Sequence, residues 1–494
     1  MTNHLPGLRF DNSFHRLPAG FHVRLAPTPV ATPRLIRLNE TLAGQLGLDL
    51  TALDETDLAG VFSGNQLPSG ADPIATPYAG HQFGHFVPQL GDGRAILLGE
   101  VIDRRGQRQD VQLKGAGRTP FSRNGDGRAA LGPVLREYLV SEAMQALGIP
   151  TTRALAAVTT GEPVYRESVL PGAILTRVAA SHLRVGTFEY FAARGDTQAV
   201  AQLADYVIER HYPSVRDEAD PYLALLAAVM DRQAVLVASW MLVGFIHGVM
   251  NTDNMAISGE TIDYGPCAFL DAYDPDAVFS SIDHGGRYAF ANQPLIAQWN
   301  LARLAETLLP LIDPDAERSV ARATEVIDGF RERFQPHWLA GMRRKLGLYS
   351  VEPGDGALIL KLLDAMRAGS ADFTLTFRRL GEAAADARGH ERVRALFADP
   401  AAYDEWAAAW QDRLTRDPVA PAVRAARMHQ VNPVVIPRNH RVEQALDAAI
   451  DGDFRPFEAL LRALTDPYRD DADKAPFVEP PSPAERVYQT FCGT

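Results

Sequence analysis

Between His247 and Gly265 the chain reads His-Gly-Val-Met-Asn-Thr-Asp-Asn-Met-Ala-Ile-Ser-Gly-Glu-Thr-Ile-Asp-Tyr-Gly, directly after a long apolar run. Two short β-prone pieces, Met255 to Ile257 and Thr261 to Asp263, flank a Ser258-Gly259 turn. The pattern predicts a hairpin with Asn254 at its entrance and the Asp263 carboxylate at its exit. An amide oxygen and a carboxylate brought together in this way suit a hard cation that also binds phosphate oxygens.

Kinase-like folds hold their nucleotide-bound metal on a hairpin of this kind. Small-molecule kinases of that fold read His-Gly-Asp, where Asp takes the substrate proton; here the position is Val249. A valine cannot accept a proton. The nearest carboxylate is Asp253, directly before Asn254, so the pattern predicts a kinase-like metal site without its ordinary phosphotransfer base.

A second signal lies upstream. Of 49 basic residues only Lys114, Lys345, Lys361 and Lys474 are lysine. Lys114 closes the strand-like run Asp110-Val-Gln-Leu-Lys114, in the style of the kinase strand whose lysine meets the phosphates. A compact ammonium and a planar guanidinium are not interchangeable there. Read alone, the residue also fits a surface lysine. On the following helix, Glu137 is the expected ion-pair partner and Glu142 the competitor.

The chain has 494 residues, 46% hydrophobic and 22% charged, which is ordinary for a globular protein of more than one domain. A net charge of −12 disfavours a dedicated nucleic-acid or anionic-membrane binder. No run reaches the roughly 18 uninterrupted apolar residues of a membrane span, and Ala234 to Ile246 reads as a buried helix. No signal or transit peptide is evident, and two cysteines, Cys267 and Cys492, fit a reducing compartment. The expected location is cytoplasmic, with neither nucleic acid nor membrane as partner.

Residues 1–75 read as an N-terminal extension with a helical stretch near Pro33 to Leu46. Residues 76–195 form a β-rich nucleotide-binding lobe: Phe86 to Leu90, a Gly91-Asp92-Gly93 turn, Arg94 to Ile102, Asp110 to Lys114, a helix from Leu131 to Leu147, and strands near Leu155 to Thr159 and Gly172 to Val178. Residues 196–330 form a helical lobe in which a helix from Pro221 to His247 delivers the hairpin and another spans Leu295 to Leu311. Residues 331–494 are a helical C-terminal region whose Pro-rich tail, Lys474 to Pro483, is expected to be extended. The fold class is α+β: a two-lobed protein-kinase-like body with extensions at both ends.

Gly91-Asp92-Gly93 would let backbone amides approach phosphates, although Gly-Asp-Gly is also a common hairpin turn. Neither G-x-x-x-x-G-K-[ST] nor a complete G-x-G-x-x-G occurs, so P-loop and Rossmann readings fall. Arg118, Arg123, Arg128, Arg177 and Arg184 cluster in linking segments, and the last two could clamp phosphates or form ordinary ion pairs. His81 and His85 have the spacing of a zinc helix but lack the rest of that motif.

Taken together, the stretches Phe10-Asp-Asn-Ser-Phe14, Pro77-Tyr-Ala-Gly-His-Gln-Phe-Gly84, Pro88-Gln-Leu-Gly-Asp-Gly-Arg94, Gln112-Leu-Lys-Gly-Ala-Gly-Arg-Thr-Pro-Phe-Ser-Arg123, His247 to Met255, Asp263-Tyr-Gly-Pro-Cys-Ala-Phe269 and His284-Gly-Gly-Arg-Tyr-Ala-Phe290 resemble the selenoprotein O family over nearly the whole chain. These are kinase-like protein adenylyltransferases. The resemblance implies that ATP lies reversed in the cleft, so that a Ser, Thr or Tyr hydroxyl of a protein attacks its α-phosphate and releases pyrophosphate. It further implies nucleotide contacts at Gly91, Gly93, Arg94, Lys114, Asp126, Gly127, Arg177, Arg184 and Asp263. Glu137 would pair with Lys114, Asn254 and Asp263 would hold Mg²⁺ or Mn²⁺, and Asp253 would be the general base. Members carry a Cys or selenocysteine near the C-terminus, matched by Cys492, which implies redox control through a Cys267–Cys492 disulfide. UTP in place of ATP stays open. So do a small-molecule phosphotransferase using Asp253 as base and a nucleotide-binding pseudokinase scaffold.

Overall fold

The computed structural model describes residues 7–51 and 53–491. An eight-stranded antiparallel sheet is assembled from segments scattered over the first 179 residues. Its strands are β1 (Val23–Arg24), β2 (Arg34–Leu38), β3 (Ile74–Ala75), β6 (Ala95–Ile102), β7 (Arg108–Lys114), β8 (Ala129–Ala130), β9 (Arg153–Tyr165) and β10 (Val169–Ala179). The order is β1-β3-β6-β7-β10-β9-β2, with β8 pairing onto β10. Residues 23–75 therefore contribute three strands to the sheet itself. A separate two-stranded ribbon joins β4 (Gly80–Gln82) to β5 (His85–Val87).

Central strands β6 and β7 are buried along most of their length. One face of the sheet packs with α1 (Glu40–Leu46) and α2 (Glu55–Phe62) in an aliphatic core around Ile96, Leu113, Val158 and Ile174. The other face receives α3 (Leu131–Ala146), which also packs on C-terminal helices through Leu135, Tyr138, Val442 and Phe457.

Several local expectations change. The run Arg34–Leu38, expected to be helical, is strand β2, and the helix begins only at Glu40, capped by the Asn39 side chain. Arg-Leu-Ile-Arg-Leu suits either period, and pairing with β9 decides it. The expected strand Phe86 to Leu90 is strand only to Val87, as part of ribbon strand β5, and Pro88 to Leu90 are irregular. Gly91-Asp92-Gly93 is a loop that hydrogen-bonds to residues 76–78, not a hairpin turn: Leu90 N donates to Tyr78 O and Asp92 N to Thr76 O.

Beyond the sheet the chain is helical: α4 (Val185–Ala192), α5 (Thr197–His211), α6 (Pro221–Val243) and α7 (Gln293–Ile312), then ten further helices between Ala316 and Val478. The architecture is α+β, with a sheet region and a helical C-terminal part. Helix α6 ends at Val243, short of the expected His247, because Gly244 adopts a left-handed conformation, φ 74°, and closes it. The next residues form β11 (Phe245–Ile246), paired with β12 (Ala268–Phe269). By length and composition α6 could cross a membrane, yet Leu226, Val229, Met230 and Val237 lie in the main core.

The predicted hairpin of residues 255–263 is not a self-paired strand unit. Ala256 bridges to Arg184 and Thr261 to Thr151, so each arm is held by a different upstream segment. The tail also departs from a uniformly extended form. A short helix covers Ala475–Val478, and a segment with a turn at residues 483–485 then leads to Thr490, which bridges to Ser280.

Candidate active site

β7 ends at Lys114, and the register β7–β10 places Gln112 opposite Arg177. Both side chains emerge on the α3 side of the sheet, where Lys114 Nζ lies 2.5 Å from Glu137 Oε2. Arg177 bonds Glu137 Oε1 at 3.2 Å and Gln112 Oε1 at 2.6 Å. Glu142 is committed elsewhere, to Arg153 and Asn39.

Asp263 faces this cluster across the cleft. Arg177 Nη1 reaches its Oδ1 at 2.6 Å, Arg184 Nη1 its Oδ2 at 2.7 Å, and Lys114 Nζ its Oδ1 at 3.4 Å. Burial acts to raise the Asp263 carboxyl, but Arg184, Arg177 and Lys114 outweigh it and hold the group well below the usual carboxylate range. Burial likewise opposes ionisation of Glu137, and Lys114 and Arg177 again win, lowering it. Asp263 has φ 62°, a left-handed conformation that Asp tolerates better than most residues and that turns the chain sharply at the carboxylate.

Asp253 has the opposite environment. Burial pushes its carboxyl up to about 6, against Arg184 and the Gln82 hydrogen bond, which lower it. Gln82 Nε2 donates to Oδ2 at 3.2 Å, while Oδ1 is buried with no partner. The ribbon β4–β5 grips the loop that carries Asp253. His81 N donates to Thr252 Oγ1 at 2.7 Å and Phe83 N to Asn251 Oδ1 at 3.0 Å. A Cβ on Gly80 would sit 2.3 Å from Asp253 Oδ1, so only glycine lets the ribbon lie this close.

One cavity of about 470 Å³ gathers these groups. Its walls include Gly91, Gly93, Arg94, Lys114, Asp126, Gly127, Glu137, Arg177, Arg184, Asp253, Asn254 and Asp263, together with Arg123 and Arg128. Val249 is also in its wall, and Arg118 is not. Asp126 lines the cavity with its carboxylate bound by Arg166, at 2.8 and 3.0 Å. The glycines have a steric reason that the sequence did not reveal. A Cβ at Gly91 would lie 2.5 Å from the Phe121 ring, and one at Gly127 would strike Gly117 O at 2.1 Å.

Tyr78, Gln82, Asn251 and Arg166 line the site without having been expected there. The first two stand in the Pro77–Gly84 stretch, where neighbouring glycines were the available hint. Glu189, which accepts from Thr252 Oγ1 and lies 2.5 Å from His81 Nδ1, gave no sequence signal. His81 and His85 are not a pair: His81 opposes Phe86 in the ribbon, and His85 opposes Gln82.

No group of three or more His, Cys, Asp or Glu side chains suited to a metal occurs among the described residues. The protein contribution to a cation site would be Asn254 and Asp263. Asn254 commits Nδ2 to Val249 O at 3.0 Å, leaving its oxygen as acceptor. Two oxygen donors fit Mg²⁺ or Mn²⁺, which take phosphate and water oxygens to complete their shells. Cys267 is a buried free thiol pushed up to about 12 by burial; Cys492, and with it the proposed pairing, lies outside the described residues.

The SelO family profile, described as protein adenylyltransferase SelO, matches residues 5–465. A protein nucleotidyltransferase YdiU from Rhizobium rhizogenes is 65% identical over 490 residues, covering 99% of this chain and 97% of the relative. The protein of the same name from Bradyrhizobium sp. is 62% identical over 495 residues, covering 100% of both. A third, from Rhizobium meliloti, is 62% identical over 491 residues, 99% of this chain and 100% of the relative. The chain belongs to the SelO family of protein adenylyltransferases, enzymes of the nucleotidyltransferase class that use ATP as substrate.

Proposed function

We propose that this protein transfers AMP from ATP to Ser, Thr or Tyr hydroxyls of other proteins, with Asp253 as general base. The observation that carries the reading is the contrast between two carboxylates in one cavity. Asp263 is held ionised by three cationic side chains, while Asp253 is raised to about 6 by burial and keeps an unpartnered oxygen. Two carboxylates pushed apart in this way divide the roles of charge holder and proton acceptor. Val249 lines the same cavity and supplies neither.

In the reaction, the acceptor oxygen forms a bond to the α-phosphorus while the bond to the β-phosphate bridging oxygen breaks. Pyrophosphate leaves with that electron pair, and the hydroxyl proton passes to Asp253. Lys114, Arg177 and Arg184 balance the phosphate charge, with Glu137 orienting Lys114. Gly91, Gly93, Arg94, Asp126 and Gly127 form the wall against which the nucleotide lies. Asn254 and Asp263 would hold a divalent cation, which when bound neutralises charge on the phosphates. In this reading residues 76–195 act as the nucleotide lobe of a kinase-like body and residues 196–330 as its helical counterpart.

Label transfer tests the reading. Protein acceptor should become labelled from ATP bearing the isotope at the α-phosphate, with γ-label recovered in pyrophosphate. Transfer of γ-label would establish a phosphotransferase, and tight ATP binding with no transfer would establish a nucleotide-binding scaffold. Running UTP beside ATP decides whether UMP is also transferred.

A further inference from the structure

From Glu479 to Gln489 the chain has neither helix nor strand and is mostly exposed; Tyr488 and Phe491 are 68% and 67% exposed. Between them Thr490 is 1% exposed. Its N donates to Phe279 O at 2.7 Å, and its O accepts from Ser281 N at 3.0 Å, forming a parallel bridge to Ser280. Its hydroxyl donates to Pro266 O at 2.6 Å. Pro266 and Ile282, on either side of this junction, both line the cavity that holds Asp253.

The edge formed by Phe279, Ser280 and Ser281 offers a main-chain acceptor and donor to one extended residue, and the Pro266 carbonyl takes that residue's hydroxyl. The flanking Gln489 and Phe491 are exposed. This is recognition by strand addition, in which backbone bonds supply affinity and a single pocket supplies selectivity. Once vacated by the tail, such an edge is a template for another chain.

We propose that this edge is the docking site for the acceptor segment of protein substrates: an extended, locally unfolded stretch carrying Ser or Thr. Thr490 is its stand-in, and the acceptor displaces residues 479–491 to bind. The Pro266 carbonyl sits at the reach of a β-hydroxyl, so a Ser or Thr fits this anchoring position, next to the residue whose hydroxyl is modified. The proposal rests on the reading that the site modifies protein hydroxyls, and names how those hydroxyls are presented. Because the tail is anchored through main-chain bonds, the competition does not require a cysteine.

The test uses the full chain with both cysteines retained, thiol reductant throughout, casein as unfolded acceptor and α-labelled ATP. Thr490→Pro removes the N–H that binds Phe279 and frees the edge. It should lower the KM for casein about fivefold, the factor that one hydrogen bond is worth, and leave the KM for ATP unchanged. Ser281→Pro, added to that variant, should raise the casein KM at least fivefold while ATP binding, which reports an intact fold, is retained. A synthetic peptide Arg-Val-Tyr-Gln-Thr-Phe should inhibit the Thr490→Pro enzyme competitively against casein. An unchanged casein KM in either variant, or peptide inhibition that competes with ATP, would overturn the docking site. Transfer to no acceptor by any form, with ATP still bound, would overturn the function itself and the docking site with it.

Discussion

Removing the Asp263 carboxylate strands Lys114, Arg177 and Arg184 together, two of them guanidinium groups with side chains only 3% exposed. Breaking such a buried arrangement costs about 3–5 kcal/mol. Asp263→Ala should therefore lower the melting temperature of the nucleotide-free protein and abolish metal-dependent transfer, read by calorimetry and α-label incorporation. Asp253 behaves in the opposite sense. Its folded pKa, about 6, lies above the ordinary value of 3.8, so its contribution to stability is complete at low pH and lost as pH rises through 6. Two pKa units correspond to about 3 kcal/mol. Asp253→Asn should erase that loss, melting higher than the parent at pH 8 and level with it at pH 4, in the absence of nucleotide and metal. The same variant should retain ATP affinity and lose at least about a hundredfold in transfer, the range of one general base. Full turnover in Asp253→Asn would assign the base elsewhere.

At the scale of elements, the ribbon β4–β5 decides where Asp253 sits. A methyl group at position 80 must displace the Asp253 carboxylate or the ribbon, since the approach is 2.3 Å. Gly80→Ala should reduce kcat at least tenfold with little change in ATP affinity, and equal losses in both would mean that the ribbon acts on the nucleotide instead. The ribbon also shows what a sequence conceals. β6, β7 and α3 were legible because alternation and helical spacing are local signals, and Lys114 and Glu137 could be paired from them. The clamp of His81 on Thr252 joins residues 171 positions apart, and no periodicity records it. Likewise, β2 was misread because its five residues fit both periods until β9 supplies a partner.

Further out, helix Phe330–Lys345 meets helix Phe373–Ala385 through an unusual contact: Lys345 Nζ lies 4.3 Å from the centre of the Phe377 ring and 5.4 Å from that of Phe373. Burial lowers this lysine to about 7, from an ordinary 10.5. Its stability contribution is therefore complete above the unfolded pKa and declines as pH falls toward 7. Lys345→Met should stabilise the protein by about 2–4 kcal/mol at pH 7, after allowing for the lost cation–ring attraction, and by much less near pH 10. Equal melting shifts at both pH values would mean that the gain is packing alone.

On the scale of the whole molecule, one arginine is a buried tie between the C-terminal helices and the segment after β12. Arg438 is 1% exposed and bonds Asp271 at 2.7 Å and Asp372 at 2.6 Å, with a further bond to Val478 O at 3.1 Å. Asp271 lies two residues past β12 and eight residues after Asp263 in the chain. Arginine at 438 drew no notice in the sequence because its two partners lie 167 and 66 residues away. Burial already raises the Asp271 carboxyl despite Arg438. In Arg438→Met both carboxylates lose their counter-charge and stay buried, at a cost of about 3–5 kcal/mol when ionised. The folded pKa of Asp271 then rises further above its unfolded value, so the penalty is small in acid and grows as pH increases. Arg438→Met should melt well below the parent at pH 8, with the difference narrowing at pH 5. If the tie also fixes the Asp263 turn, α-label transfer at a temperature where the variant remains folded should fall with it; unchanged transfer there would confine Arg438 to holding the C-terminal helices in place.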